Sequence, residues 1–129
     1  MNIKFPTEYE PKRNNRWIVS VPTLPEWVFQ EIEFPSVESG WFCDKWSDIH
    51  ATLLDVIGQS IPTKIQDLYK SGKFTFSIKV LDPPGAEVEH WEVVGKITHI
   101  HNGTGSYSND GLKKISIRIK PYSVNLLKS

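Results

Sequence analysis

At 129 residues the chain has the size of one domain, long enough to bury roughly two thirds of its unfolded surface without help from a disulfide or metal. Fifteen basic and fifteen acidic residues cancel, which argues against a free-standing nucleic-acid or membrane binder held by net charge, although a neutral total can hide opposed patches. A lone Cys43 excludes an internal disulfide and fits a reducing cytoplasm, and no apolar run near Met1 or elsewhere has the length of a signal peptide or membrane span, so a soluble, cytosolically made chain is expected.

Residues 1–15 carry Pro6, Pro11 and a polar cluster and read as an N-terminal arm on a single domain spanning 1–129. The basic run Lys12, Arg13 and Arg16 is either a solvated lead-in or a contact with an acidic neighbour. Residues 17–21 read as a strand stopped by Pro22 and Pro25. Residues 27–34 read as a second strand, with a change of face toward Ile32 and Phe34 that predicts a bulge or bend.

Residues 35–47 show no sustained period yet hold Trp41, Phe42 and Trp46. Each such ring is worth about 2 to 4 kcal/mol by area when buried, so this excursion should fold back on the domain or bury against another chain. Residues 48–55 form a third strand with Ile49, Ala51 and Leu53 on one face. A helix follows, with Ser60 as cap, Pro62 in the first turn, and Ile61, Ile65, Leu68 and Tyr69 as one apolar stripe that must dock on the sheet; Gly72 ends it.

Phe74, Phe76, Ile78 and Val80 alternate with Thr75, Ser77 and Lys79, the period of a strand with one buried face. Asp82, Pro83, Pro84 and Gly85 force a reversal, and the limb from Glu87 to Ile100 returns beside the first. That limb is apolar on both faces, with Trp91, Val93 and Ile97 on one and Val88, Val94 and Ile100 on the other. Residues 103–111 are a turn-rich loop. The last strand places Ile115, Ile117 and Ile119 inward and Lys114, Arg118 and Lys120 outward, with Pro121 expected to interrupt it. The total is a mainly β chain of about six strands and one α-helix.

Catalytic signatures are weak. His99 and His101 share a strand face at metal-ligand spacing but lack a third ligand nearby, so polar strand-end histidines are the commoner explanation. Glu87 and Glu89 also share a face, for which exposed charge on an edge suffices. No phosphate loop or nucleophile elbow is present, so neither catalysis nor a cofactor is expected. What stands out is interaction surface: five tryptophans, six phenylalanines and four tyrosines exceed the needs of one small core, and self-assembly accounts for them.

Residues 10–19, residues 48–58 with the helix behind them, the turn and strand of residues 81–93, and residues 107–110 leading into the last strand resemble the tail tube proteins of contractile-tailed bacteriophages. The likeness spans nearly the whole chain but consists of diffuse strand-and-turn patterns. Two departures are the long approach from His99 to Gly105 and the aromatic segment at Trp41 to Trp46, either of which would suit a ring at a tube end. The resemblance implies a small antiparallel β-barrel or sandwich with a flanking helix. It further implies hexameric rings whose inner strands join around a channel, stacked into a tube through which viral DNA passes without sequence-specific binding. Tail sheath, tape-measure and baseplate proteins are the implied partners, and the virion tail the implied location. Within that frame Trp41, Phe42 and Trp46 are the expected ring-stacking anchors, Lys12, Arg13 and Arg16 the subunit-contact arm, and Lys114, Arg118 and Lys120 the exterior face. A baseplate tube initiator or injection-system tube, and a monomeric ligand-binding barrel, are the alternatives.

Overall fold

Strands dominate because alternation does. A computed structural model of the chain describes residues 11–41, 45–108 and 111–129. In chain order the strands are β1 (Trp17–Ser20), β2 (Phe29–Ile32), β3 (Val37–Glu38), β4 (Lys45–Trp46), β5 (Ile49–Leu54), β6 (Lys73–Leu81), β7 (Glu87–His101) and β8 (Lys114–Lys128). Helix α1 (Ile61–Ser71) lies between β5 and β6. Six strands form one antiparallel sheet in the order β1-β6-β7-β8-β5-β2, nearly closed into a barrel, and β3 and β4 pair apart from it. This is the mainly β architecture with one flanking helix that the alternation predicts.

The inward side chains of the sheet, among them Phe76, Ile78, Val93, Ile97, Ile115 and Ile119, make one core with the helix residues Ile61, Ile65 and Leu68. The reversal between β6 and β7 is held by Asp82, whose carboxylate accepts the Ala86 N–H at 2.6 Å while its carbonyl accepts the Gly85 N–H at 2.9 Å. Gly85 has φ +96°, a conformation that other residues rarely adopt.

Several boundaries differ from the sequence reading, each for a local reason. The first turn of the expected second strand is a 3-10 turn, Glu26–Val28, and pairing begins only at Phe29. The bulge expected there is present, between Phe29 and Glu31. Ser60 does not cap α1 through its side chain. Its backbone is left-handed, φ 52°, instead of the extended conformation usual for a capping residue, and its carbonyl accepts the Lys64 N–H as the first bond of the helix. Tyr69 is exposed, because on the helical wheel it stands about 60° or more from the centre of the Ile61, Ile65 and Leu68 stripe. Ile100 reaches the core rather than the opposite face, since a register shift between Ile97 and His99 reverses the alternation of β7.

Pro121 does not interrupt the last strand. It sits at a register shift opposite Gly95, where β8 has already parted from β5, and a missing N–H is tolerated at such a bulge. The crossing is tight: a Cβ on Gly95 would lie 2.6 Å from Ile119 Cγ2 and 3.1 Å from the Lys120 carbonyl oxygen. Gly95→Ala is therefore expected to destabilise the barrel by about 1 to 3 kcal/mol, the usual penalty for overpacking, read as a lower midpoint in urea.

Candidate functional site

Three surfaces draw together the residues singled out by the sequence. The first is the β3–β4 hairpin. Val37 pairs with Trp46 and Glu38 with Lys45, and the Ser47 N–H donates to the Ser36 carbonyl at 2.8 Å. The Glu38–Lys45 ion pair, 3.7 Å and exposed on both sides, adds little. Trp46 folds back on the domain, its ring edge-on to Trp91 with centroids 6.3 Å apart. Trp41, at the far end of the hairpin, is 92% exposed. The aromatic excursion thus divides: one indole serves the barrel and one is offered to solvent. Phe42 and Cys43 lie outside the described residues.

The second surface is the arm. Lys12 Nζ donates to Glu89 Oε1 at 2.7 Å and to the Ser129 carbonyl at 3.3 Å, while Trp91 Nε1–H donates to Glu89 Oε2 at 2.6 Å. Farther along, the Leu81 N–H donates to the Arg16 carbonyl at 2.8 Å, and Arg13 is exposed. Lys12 is therefore engaged within the chain, strapping the arm across the β6–β7 hairpin, and the contact runs on through Trp91 to Trp46. Burial alone would raise the Glu89 pKa; the hydrogen bonds from Lys12 and Trp91 and the Lys12 charge outweigh it and leave the pKa below the usual value.

A carboxylate with a depressed folded pKa stabilises above its unfolded pKa, and that contribution is lost as pH falls through the lower folded value. The strap should therefore hold at neutral pH and release in acid below about pH 4.5. Glu89→Gln is expected to abolish the acid transition in tryptophan fluorescence and to cost about 1 kcal/mol or less at neutral pH. An unchanged acid transition in that variant would show that another group controls it.

Glu87 and Glu89 do not form an acid–base pair. Glu87 Oε1 instead meets His90 Nδ1 at 2.7 Å, because register shifts at each end of this stretch turn the two carboxylates to different neighbours. His99 contacts Thr98 and His101 accepts from the Gly103 N–H; among the described residues no group of three His, Cys, Asp or Glu is placed to hold a metal.

The third surface is the outer side and free edge of β8. Lys114 and Lys120 are exposed and Arg118 half-buried. Beyond Ile119 the pairing of β8 with β5 ends, so residues 120–128 are bonded to β7 on one side and, among the described residues, to no strand on the other. Tyr122, Leu126 and Leu127 are exposed along this stretch. Sequence reasoning missed the edge, because the pairing partner of each strand half is set by register and not by composition.

Comparison with protein-family models and with curated proteins gave no match. Solved structures did match. A chain of the sheath–tube complex of an extracellular contractile injection system (PVC, extended state) is 15% identical, with a TM-score of 0.69 and 95% of each chain covered. A chain of the anti-feeding prophage tube-terminating cap is 11% identical, TM-score 0.70, covering 100% of this chain and 97% of that one. A chain of the sixfold-symmetrised anti-feeding prophage baseplate is 9% identical, TM-score 0.65, covering 93% and 97%. The fold is that of contractile injection system components. The resemblance read from the sequence holds at that level, and its diffuse motifs agree with identities this low.

Proposed function

We propose that the chain is a structural subunit of a contractile-tail tube, assembling with copies of itself into six-membered rings that stack around a channel for DNA. The observation that carries the reading is the edge of β8 at residues 120–128, to which no strand among the described residues is paired, flanked by exposed Tyr122, Leu126 and Leu127. A long open edge invites another strand, and in a soluble protein a neighbouring copy is the orderly way to close it; rotation about a ring axis closes every edge at once. Likeness to chains of a sheath–tube complex, a tube-terminating cap and a sixfold baseplate supports this.

Trp41 would anchor ring on ring, with Phe42 beside it in the sequence, and Trp46 would hold the hairpin that carries them. Lys12, Arg13 and Arg16 would border the subunit contact. Lys114, Arg118 and Lys120 would face outward toward other tail proteins, such as a sheath, since dense positive charge on a channel wall would hold passing phosphate. Tape-measure and baseplate proteins complete the set of partners, and the assembly would belong to a virion tail. The role is structural, with no reaction assigned.

A second reading, a tube-end or injection-system tube component, is favoured by the cap and baseplate likenesses and by the exposed Trp41. Negative-stain micrographs of the purified protein test both. Long tubes support the main tube, isolated sixfold rings support the tube end, and a monodisperse monomer at high concentration overturns the two together.

A further inference from the structure

On the outward face of the central sheet three lysines stand side by side. The register sets Lys73 of β6 opposite Lys96 of β7, and Lys96 opposite Lys120 of β8. Neighbouring strands lie about 4.8 Å apart, so the row crosses about 10 Å of surface, and like charges placed directly opposite repel. All three are exposed, and among the described residues none has an ion-pair partner. The Tyr122 ring lies 4.2 Å from Lys73 Nζ and 5.5 Å from Lys120 Nζ, which softens the repulsion without cancelling a charge. One rung along, Arg118 stands between His99 and His50, its Nε buried without a partner. Four cations thus occupy one strip, and among the described residues none of them is held in an ion pair.

The acids gather toward one end of the strip, on the Arg118 and Lys120 side. Residues 26–55 hold seven of the fifteen acidic residues and one of the fifteen basic residues, Lys45, so the neutral total conceals two opposed regions. Of these, Glu31 lies on the β2 edge, Glu33 just beyond it and Glu38 on the β3–β4 hairpin, and all three are exposed. Some of these acids line the same surface depression as Arg118 and Lys120, yet among the described residues no ion pair joins them within the chain. Lys73 and Lys96 lie on strands still farther from β2 in the sheet order.

We propose that the strip of Lys73, Lys96 and Lys120, with Arg118 beside it, is the contact site for the acidic β2 edge of a second copy, through Glu31, Glu33 and Glu38. The inference rests on the self-assembly reading and adds which surfaces meet; it moves Arg118 and Lys120 from the outward, sheath-facing set to the contact between copies and leaves Lys114 outward. Two unlike patches on one chain make a head-to-tail contact, the kind that closes into a ring when the rotation permits. A phosphate polymer fits less well. The face of Tyr122 is covered by lysine, leaving no free platform for a base, and a neutral chain has no overall field to gather a polyanion.

Charge reversal in mixtures tests this. K73E/K96E carries acid on both surfaces and E31K/E33K carries base on both, with folding of each checked by circular dichroism. Each variant alone is expected to need roughly tenfold more protein to assemble than wild type, and an equimolar mixture to recover wild-type assembly, since strip and edge then match in alternation. Wild-type assembly should weaken between 0.15 M and 1 M salt, as the screening length falls from about 8 Å to about 3 Å. Assembly that is indifferent to both reversals, or lost without rescue in the mixture, overturns the proposal while leaving the tube reading in place. Normal assembly by K73E/K96E together with loss of duplex-oligonucleotide binding would reassign the strip to nucleic acid. A wild-type chain that never assembles overturns both readings.

Discussion

Phe76→Ala is expected to lower the stability of the barrel by about 3 to 5 kcal/mol, the range for emptying a phenyl-sized space in a core that cannot collapse around it. Phe76 is 1% exposed, its ring lies 5.8 Å from that of Phe74, and it borders Gly95 where β6, β7 and β8 meet. Three strands lose a shared neighbour at once, and none can close the gap without breaking the ladder that sets its position. For a domain of this size the loss corresponds to roughly 10 to 20 °C in melting temperature. Dilute protein and a concentration series are needed for the measurement, because the proposed assembly would stabilise the folded state by mass action and mask part of the effect. Phe74→Ala, at the rim of the same cluster, should cost less; equal losses would show that the two rings act as one unit.

Removing residues 40–45 is expected to leave the fold intact and abolish ring stacking. The deletion takes Trp41 with its 92% exposed indole, and joins Ser39 to Trp46, leaving a two-residue connection between the paired positions Val37 and Trp46. Trp46 keeps its place against Trp91, so the barrel keeps the ring contact that ties the hairpin to it. Each copy would lose an anchor worth about 2 to 4 kcal/mol when buried, repeated around every ring junction, which is enough to turn a tube into separate rings. Micrographs and sedimentation check it: single rings with an unchanged melting curve are the expected result. Full-length tubes from the shortened chain would remove this hairpin from the stacking surface, and an unfolded product would show that it supports the barrel. Trp41→Ala, which leaves the backbone intact, separates those outcomes.

How far the sequence reaches depends on the distance over which each decision is made. Alternation at Phe74 to Val80 and at Ile115 to Ile119, the Ile61, Ile65 and Leu68 part of the α1 stripe, and the reversal at Asp82 to Gly85 are all settled within a few residues, and all stand in the structure. Where a choice involved a partner strand, local reading faltered. Pro121 looked like a stop because a proline cannot serve a central ladder, yet at that position one side of β8 bulges and the other, among the described residues, has no strand. By parity Ile100 belongs to the apolar face opposite Ile97, yet a register shift packs it against the core, partly buried. The excess of aromatic residues was visible, but which indole the barrel would claim was not.

The sequence by itself determined the strand-rich class, the one helix, the central hairpin and the surplus of apolar and aromatic surface, because periodicity and turn chemistry act over a few neighbouring residues. Only the tertiary structure decided the β8 edge at residues 120–128 that is left open among the described residues, the strap from Lys12 to Glu89 and the row of Lys73, Lys96 and Lys120. Those features depend on register between segments tens of residues apart, where a one-residue slip turns every side chain to the other face and no local pattern records the choice.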